Sequence, residues 1–259
     1  MNIDLLDNIG KKSSDLTKFL SSETDGVFYT GHASILVRLN KKKYLFDYIN
    51  NTNFYRNSWI FFPNQIIDKR LYNVDGVFVS HIHQDHYDPA LLRKFQRKGV
   101  PIYILNGREN FKKALKKEKL KVNLIPVKKK TFISNNTWVY GCLHEYNDID
   151  SSLVISNNNL SVYHGNDNFI TEKSLIPFKK KVGNIDVGCI PFAYINYYPY
   201  LLNGISNKQN KSEARRLENL FMDYGIKQSK ILKPKIIIPF GSNLFHIDNP
   251  KCAMNKGVA

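Results

Sequence analysis

Apolar and polar positions along this chain alternate in short runs that predict strands and helices in a layered protein. Apolar runs of roughly 4–8 residues bounded by polar turns predict strands, and apolar residues three and four positions apart predict one face of a helix. The predicted strands cover residues 35–39, 44–47, 77–79, 101–105, 122–127, 137–143, 153–156, 160–164, 184–192 and 235–240. The predicted helices cover residues 15–21, 90–95, 108–119 and 212–227. In the last helix we expect a buried face formed by Leu217, Leu220, Phe221 and Tyr224.

This order of elements predicts how the chain is organised. A strand–helix–strand order in the first half suits a sheet with helices on one outer face. The chain has 259 residues, enough for one large core or two small ones, and no internal repeat divides it. We predict a single domain over residues 1–259, with a helix-prone lead-in over 1–25 and an irregular tail over 247–259.

Metal-binding side chains crowd into one short segment after the apolar run 77–79. Three of the seven histidines, His81, His83 and His86, lie there together with Asp85. His81 and His83 are two positions apart, so in extended backbone they share a face, and a following turn can bring Asp85 and His86 to the same cavity. Imidazole and carboxylate groups are good ligands for divalent metals. The segment therefore predicts a metal site.

The pattern His81-x-His83-x-Asp85-His86 after an apolar strand resembles the signature of the metallo-β-lactamase fold superfamily. The neighbouring segments extend the resemblance over most of the chain. It implies an α/β fold, a four-layer αββα sandwich of two mixed β-sheets flanked by helices. It also implies that His81 and His83 bind one metal ion, and that Asp85 and His86 bind a second.

Later segments resemble those that complete the ligand set of this family. His144 follows a strand-like run, and His246 follows the last predicted strand. The strand–turn–strand segment that ends in Gly165-Asn166-Asp167 is similar to the one that carries the metal-bridging aspartate, so the resemblance gives that role to Asp167. A carboxylate can span two cations because it has two oxygens and a negative charge. Asp148 and Asp150, which follow His144, are weaker candidates that would otherwise shape the turn.

Three further residues are expected near the ligands rather than among them. Asp47 ends the second strand of a predicted hairpin, where the family has an aspartate that braces the metal loop by hydrogen bonds. The alternative for Asp47 is a turn residue at a strand end. His164 precedes Asp167 by three positions and is expected to pack or to support a ligand. His32, in a Gly-His-Ala-Ser turn similar to that of the family, is expected to be a buried or turn histidine.

Charge and cysteine usage narrow the substrate and the location. The chain has 38 Lys and Arg residues against 22 Asp and Glu residues, and its net charge of +16 favours anionic substrates. Heavy use of Lys and Asn throughout the chain is the alternative origin of this charge. Three widely separated cysteines, no apolar run of membrane-spanning length and no signal-like N-terminus predict a reduced, cytoplasmic protein without a membrane partner. The aromatic segment 54–62 is expected to pack on the core, hold a substrate or contact a second copy in a homo-oligomer.

The resemblance implies a metal-dependent enzyme. Segments after Asp167, including Pro191-Phe192 and Tyr198-Pro199, look like the branch that contains the metallo-β-lactamase-like part of CMP-N-acetylneuraminate hydroxylase and the ascorbate-phosphate lactonases. The cysteine–histidine pairs of the Rieske segment in that hydroxylase have no counterpart here. The favoured hypothesis is a hydrolase in which two Zn²⁺ or Mn²⁺ ions hold a hydroxide that attacks an anionic small-molecule ester, lactone, amide or phosphoester. Asp85 would orient the water and shuttle a proton.

Two other classes of enzyme stay open. The same ligands suit iron, so a non-haem di-iron oxygenase that hydroxylates or N-oxidises a small molecule is the alternative. A nucleic-acid hydrolase would fit the charge, but the chain has no additional motif for gripping a strand, so we do not expect nucleic acid as a partner. The sequence names neither the metal nor the substrate.

Overall fold

The structure, a computed structural model, contains fifteen strands and five α-helices in its described part. That part comprises residues 14–51, 53–55, 58–61, 64–107, 109–146, 150–192, 198–199, 204–241 and 244–246. The strands are β1 (Gly26–Gly31), β2 (Ser34–Leu39), β3 (Lys42–Phe46), β4 (Asn53–Phe54), β5 (Trp59–Phe61), β6 (Gly76–Phe78), β7 (Ile102–Leu105), β8 (Asn123–Ile125), β9 (Thr131–Ser134), β10 (Thr137–Leu143), β11 (Ser151–Ser156), β12 (Ser161–His164), β13 (Val187–Pro191), β14 (Ile236–Phe240) and β15 (Leu244–His246). The helices are α1 (14–21), α2 (Pro89–Arg97), α3 (Glu109–Lys117), α4 (Glu172–Val182) and α5 (Asn207–Leu232), and a 3₁₀ turn covers Lys69–Tyr72.

Twelve of the strands form two six-stranded sheets, each antiparallel on one side and parallel on the other. The first sheet has the order β1-β2-β3-β6-β7-β8, and β3, β6, β7 and β8 run parallel. The second has the order β14-β13-β12-β11-β10-β9, and β12, β13 and β14 run parallel. The loops that follow the parallel strands of one sheet lie at one edge of it, where ligand sites are usually found.

Apolar side chains from both sheets fill the space between them. Ile35 and Phe46 of the first sheet belong to the same buried cluster as Ile155 and Val162 of the second. Burying one large apolar side chain contributes about 1.5–3 kcal/mol, so this layer is a main source of stability. It holds the two sheets face to face.

Helices cover the outer face of each sheet. Leu91 of α2 and Leu115 of α3 pack with Leu36 and Val77 on the first sheet, and Leu175 of α4 and Leu232 of α5 lie in the cluster on the second. Their order is therefore helix, sheet, sheet, helix. This confirms the predicted αββα sandwich. Among the described residues, no helix is both long enough and apolar enough to cross a membrane.

A small third sheet of order β15-β5-β4 was not predicted. Its strands have only two or three residues each, too short for a periodic pattern. In it, Trp59 of β5 pairs with Phe54 of β4 on one side and with the backbone of His246 on the other. This sheet brings the aromatic segment next to the last strand of the described chain.

The predicted buried face of α5 is confirmed at Leu217 and wrong at Leu220 and Tyr224. Leu220 and Tyr224 are exposed, and the buried positions of this helix are Ala214, Leu217, Gly225, Gln228 and Leu232. A Cβ at Gly225 would lie 2.8 Å from the carbonyl oxygen of Pro191, so the helix approaches β13 through its smallest side chain. Apolar periodicity selected the large residues and missed the contact made by the small ones. Helix α4 was also missed, since Pro177 interrupts its pattern.

Candidate metal centre

The loops after β3, β6 and β12 bring the candidate metal ligands together. Asp47 directly follows β3, the segment 80–88 follows β6, and Asp167 lies three residues beyond β12. We call residues 80–88 the metal loop. It ends at helix α2, where Asp88 accepts a hydrogen bond from the Leu91 N–H at 2.9 Å and caps the helix. The strand before the loop and the capped helix after it fix both of its ends.

A tight turn in the metal loop brings its side chains to one side. The backbone N–H groups of His86 and Tyr87 both donate to the carbonyl of His83, at 3.0 and 2.9 Å. His81 and His83, which precede the turn, point their ring nitrogens at each other, with 2.8 Å between His81 Nε2 and His83 Nδ1. The turn then places His86 against His81, with 4.3 Å between ring centroids.

The first cluster of potential ligands contains His81, His83 and Asp167. His81 is buried, whereas His83 is half-buried and the side chain of Asp167 is 32% exposed. One ligating atom from each lies within 4.8 Å of the others. This cluster reaches the surface through two of its three members.

The second cluster contains His32, Asp85 and His86, and all three are buried. Asp85 Oδ2 lies 3.1 Å from His32 Nε2 and 3.4 Å from His86 Nε2. His32 comes from the turn between β1 and β2, so this cluster joins the metal loop to a distant part of the chain. His32 is buried and in a turn, as expected, and its contact with Asp85 was not foreseen.

Asp167 lies between the two clusters. Its Oδ2 is 3.3 Å from His86 Nε2 and 3.8 Å from His81 Nε2. The preceding turn is fixed by Gly165, where a Cβ would come within 2.7 Å of the Cys189 carbonyl oxygen, and by Asn166, which has a φ of +53°. Gly leaves room for this close approach and Asn tolerates a positive φ, so the Gly-Asn-Asp sequence determines where this carboxylate lies.

Asp47 connects the histidines of both clusters. Its carboxylate accepts hydrogen bonds from the Ser80 N–H at 2.8 Å and from the Ser80 hydroxyl at 2.5 Å, and lies 3.1 Å from His86 Nδ1. Ser80 Oγ is in turn 3.0 Å from His81 Nδ1. Because both contacts engage Nδ1, they turn Nε2 of His81 and of His86 towards the other candidate ligands. Asp47 itself has a φ of +41°, a strained conformation of the kind found at functional sites.

Burial and mutual charge shift the pKa values of these groups. Burial lowers the pKa of His81 to about 3, so its ring is neutral at pH 7. Burial alone would raise the pKa of Asp167, but the neighbouring His86 and His81 outweigh it and bring this pKa to about 2. For His86, burial opposes the charge, yet Asp167 and Asp85 raise its pKa well above the usual value. A cation would satisfy the same carboxylates, so metal binding is expected to release a proton.

The donor set fits divalent cations. The buried His86 Nε2 makes no aligned hydrogen bond in the described part of the chain, although carboxylate oxygens of Asp85 and Asp167 lie 3.4 and 3.3 Å away. Two ligand atoms that each lie roughly 2.1 Å from one ion are separated by about this distance. These distances therefore fit coordination of one ion by the three groups.

The remaining candidate ligands are placed differently. The half-buried His144 accepts a hydrogen bond from the Tyr146 N–H at Nδ1, 3.1 Å away, and belongs to neither cluster formed by the described residues. Its cross-strand neighbour Asp150 is buried, with Oδ1 3.8 Å from His81 Nε2. His246 ends β15, and its side chain, like Asp148, lies outside the described residues. His144 and His246 therefore stay predictions.

His164 is buried behind the clusters. Its Nε2 lies 2.9 Å from the carbonyl oxygen of Ala33, and its ring stacks on Phe46 with 5.1 Å between centroids. Tyr55, in contrast, is a contact that sequence reasoning missed, because nothing in the aromatic segment singles it out. Its hydroxyl donates to Asp85 Oδ1 at 2.9 Å.

Comparison with known proteins gives the fold but not the reaction. The structure is similar to a metallo hydrolase, Igni18, from Ignicoccus hospitalis, with a TM-score of 0.57 and 15% identity over 85% of this chain and 83% of that one. It is also similar to CmlA, a diiron β-hydroxylase from Streptomyces venezuelae (TM-score 0.53, 15% identity, 92% of this chain and 48% of that one). An isothiocyanate hydrolase from Delia radicum gut bacteria gives a TM-score of 0.51 at 15% identity, over 85% of this chain and 98% of that one.

At the level of sequence, two matches stand out. One relative, from Mycolicibacterium smegmatis (strain ATCC 700084 / mc(2)155), is named as a Rieske 2Fe-2S iron–sulfur protein and is 34% identical over 76 residues. The match covers 29% of this chain and only 14% of that relative, so the predicted branch stays a prediction. The family model described as a beta-lactamase superfamily domain matches residues 26–207, which is most of the chain and includes the metal loop and Asp167. The chain therefore belongs to the metallo-β-lactamase fold superfamily, as its motif predicted.

Proposed function

We propose that the protein is a dinuclear metal-dependent hydrolase that acts on an anionic small-molecule ester, lactone, amide or phosphoester. The position of Asp167 carries this proposal. Its Oδ2 lies within 3.8 Å of His81 Nε2 and within 3.3 Å of His86 Nε2. A carboxylate between two groups of imidazoles is the arrangement expected of a pair of cations that share one ligand.

The two clusters divide the proposed ligands. His81, His83 and Asp167 would hold the first cation, and Asp85, His86 and Asp167 the second. His144 and His246 remain candidates to complete the two sets. Two divalent cations bound there would supply Lewis acidity and a water whose pKa is lowered towards neutrality.

The side chains around the cations have separate tasks. Asp47 and Ser80 fix the rings of His81 and His86 so that each presents Nε2. Asp85 is the residue for holding and passing on a proton during hydrolysis. Substrate would approach from the side of His83 and Asp167, because these are the partly exposed ligands. The net charge of +16 supports an anionic substrate.

A second candidate function is a di-iron oxygenase, and the position of Asp150 favours it. Its Oδ1 lies 3.8 Å from His81 Nε2, the same distance as Asp167 Oδ2. Together with Asp85, this makes three carboxylates around three histidines. Oxygen-rich donor sets suit iron and manganese as well as zinc. The fold likeness to the diiron β-hydroxylase CmlA is compatible with this alternative.

Loading the chelator-treated protein separately with Zn²⁺, Mn²⁺ and Fe²⁺ tests both candidates. Under the hydrolase proposal, the zinc or manganese form cleaves members of a panel of phosphoesters and lactones, and Asp167→Ala abolishes this cleavage without unfolding the protein. Oxygen consumption by the iron form with a reductant, and no hydrolysis by any form, would favour the oxygenase. Cleavage by a metal-free Asp167→Ala protein would contradict both.

A further inference from the structure

The carboxylate of Asp85 is held by two residues from outside the metal loop. The Tyr55 hydroxyl donates to Oδ1 at 2.9 Å, and His32 Nε2 lies 3.1 Å from Oδ2. Asp85 belongs to the metal loop, but each of its carboxylate oxygens has a partner from a distant segment of the chain. Asp85 is buried, so these contacts are shielded from water and are stronger than surface contacts would be.

A second hydrogen bond ties Tyr55 to the metal loop. Tyr55 follows β4, at the turn between β4 and β5, with a φ of +50°, and its backbone N–H donates to the Gln84 side chain at 2.7 Å. The Ser58 hydroxyl donates to the Tyr55 carbonyl at 2.6 Å and closes the turn. The backbone and the side chain of Tyr55 therefore donate hydrogen bonds to two consecutive residues, Gln84 and Asp85. A half-buried tyrosine held at both ends is a fixed part of this site.

His32 is equally fixed, on the other side of Asp85. It has a φ of +48°, its carbonyl accepts hydrogen bonds from the Tyr29 hydroxyl at 2.9 Å and from the Gly241 N–H at 3.2 Å, and its ring lies 4.8 Å from that of Phe61. His32 Nδ1 is buried and has no hydrogen-bond partner in the described part of the chain. A proton on Nδ1 would leave a buried donor unpaired and turn a lone pair towards a carboxylate. The proton therefore lies on Nε2, and His32 donates to Asp85.

These contacts leave Asp85 able to bind a cation in only one orientation. Each carboxylate oxygen has two lone-pair positions, and the two donors occupy one on each oxygen. We propose that Tyr55 and His32 are positioning residues that clamp Asp85 in the orientation in which it binds the second cation. This inference rests on the proposed dinuclear centre. Tyr55 and His32 lie outside the metal loop, and neither is a proposed ligand of either cation.

The small third sheet connects this clamp to the end of the described chain. Trp59 pairs with Phe54, the residue before Tyr55, and also with the backbone of His246. The turn that carries Tyr55 and the strand that carries His246 therefore lie on opposite sides of β5 in one sheet.

Both positioning residues contact Asp85, which is a proposed ligand of the second cation alone. A change at Tyr55 or His32 is therefore expected to weaken binding of the second cation and to leave binding of the first unchanged.

Zinc titration of chelator-stripped protein against a competing chromophoric chelator tests the clamp. Tyr55→Phe removes only one hydroxyl from a half-buried side chain and preserves its ring. Tyr72→Phe is the matched control, because the Tyr72 hydroxyl makes a hydrogen bond of the same length, 2.9 Å, to Asn50. Asp85→Asn identifies which of the two binding steps belongs to the second cation. His32→Gln, which still offers an N–H donor, is the second variant.

In Tyr55→Phe we expect the affinity for the second zinc ion to fall about 10- to 100-fold with the first step unchanged. The melting temperature of the metal-free protein should fall by only a few degrees, because one hydrogen bond to the buried Asp85 is lost. Tyr72→Phe should match the parent protein in both steps, and His32→Gln should lose less affinity than Tyr55→Phe. Two zinc ions in the parent protein and an unchanged second step in Tyr55→Phe would overturn the clamp alone. Fewer than two zinc ions in the parent protein would overturn the clamp together with the dinuclear centre.

Discussion

The two ligand clusters meet at the metal loop, but they differ in exposure and in how they are held. All members of the second cluster are buried, and its Asp85 is contacted by His32 of the same cluster and by Tyr55, which both lie outside the metal loop. The first cluster includes the half-buried His83 and the 32% exposed Asp167. A buried, braced cluster can fix a charge, whereas a partly open one can admit water and substrate. We therefore expect the first cluster to contact substrate and the second to have a supporting role.

Replacement of Asp167 is expected to have the largest effect, because this residue approaches histidines of both clusters. In Asp167→Ala, both binding steps should weaken by more than ~100-fold, a larger loss than that for a supporting residue. The fold should survive, since the side chain lies partly in solvent. Zinc titration and circular dichroism measure the two effects. Loss of only one step would mean that Asp167 serves a single cation.

Replacement of Asp47 should come next, because it braces one histidine of each cluster. Asp47→Asn keeps the size of the side chain but weakens its contacts with Ser80 and His86. We expect both binding steps to weaken by about 10- to 100-fold. A loss confined to the second step would show that the contact to His81 through Ser80 contributes little.

Single histidine replacements test whether the difference in burial between the clusters affects the free energy of unfolding. In the metal-free protein, His86→Ala should lower the free energy of unfolding by about 1–3 kcal/mol, because it removes a buried partner of Asp47. His83→Ala should lower it by less than His86→Ala does, because His83 is half-buried and water can replace its contact with His81 Nε2. Urea unfolding measures both values. Equal losses would contradict the distinction between the clusters.

The pH dependence of the metal-free protein tests the burial of His81. The pKa of His81 is about 3 in the folded protein, below its value of about 6.5 in an unfolded chain. Between these values the unfolded state binds a proton that the folded state does not, so stability falls as the pH falls through this range. Its contribution is at most ~1.4 kcal/mol per pH unit. His81→Gln should therefore lose less stability than the parent protein between pH 6.5 and pH 5, measured by urea unfolding.

The sequence predicted which candidate ligands come together where those residues are close neighbours along the chain. Four metal-loop residues lie within six positions, so a strand, a turn and a helix cap suffice to bring them together. The Gly165-Asn166-Asp167 turn is similarly local. The contact of Tyr55 with Asp85 depends instead on a strand of two residues, too short to give a periodic signal. His144 and Asp150 are cross-strand neighbours, and the sequence pattern does not tell which of the two approaches His81.

The fold was likewise predicted where the signal is local and missed where it depends on tertiary packing. Most strands and helices gave clear apolar runs or repeats, and the family resemblance supplied their layered arrangement. The buried face of α5 was predicted only in part, because Gly225 and Ala214, which carry little hydrophobic signal, also lie against the core. Tyr224 is exposed and does not lie in the core. Its ring centroid is 5.8 Å from that of Phe169, which follows Asp167 by two residues. Close packing of small residues is a tertiary property that apolar periodicity does not report.

Metal analysis of protein purified without chelator and without added metal tests whether the chain binds two metal ions. We expect two equivalents of zinc, manganese or iron per chain in the parent protein and a large loss in Asp167→Ala. The identity of the metal then directs the choice between hydrolase and oxygenase assays. No bound metal in the parent protein, even after reconstitution, would show that the proposed ligands do not form a metal centre.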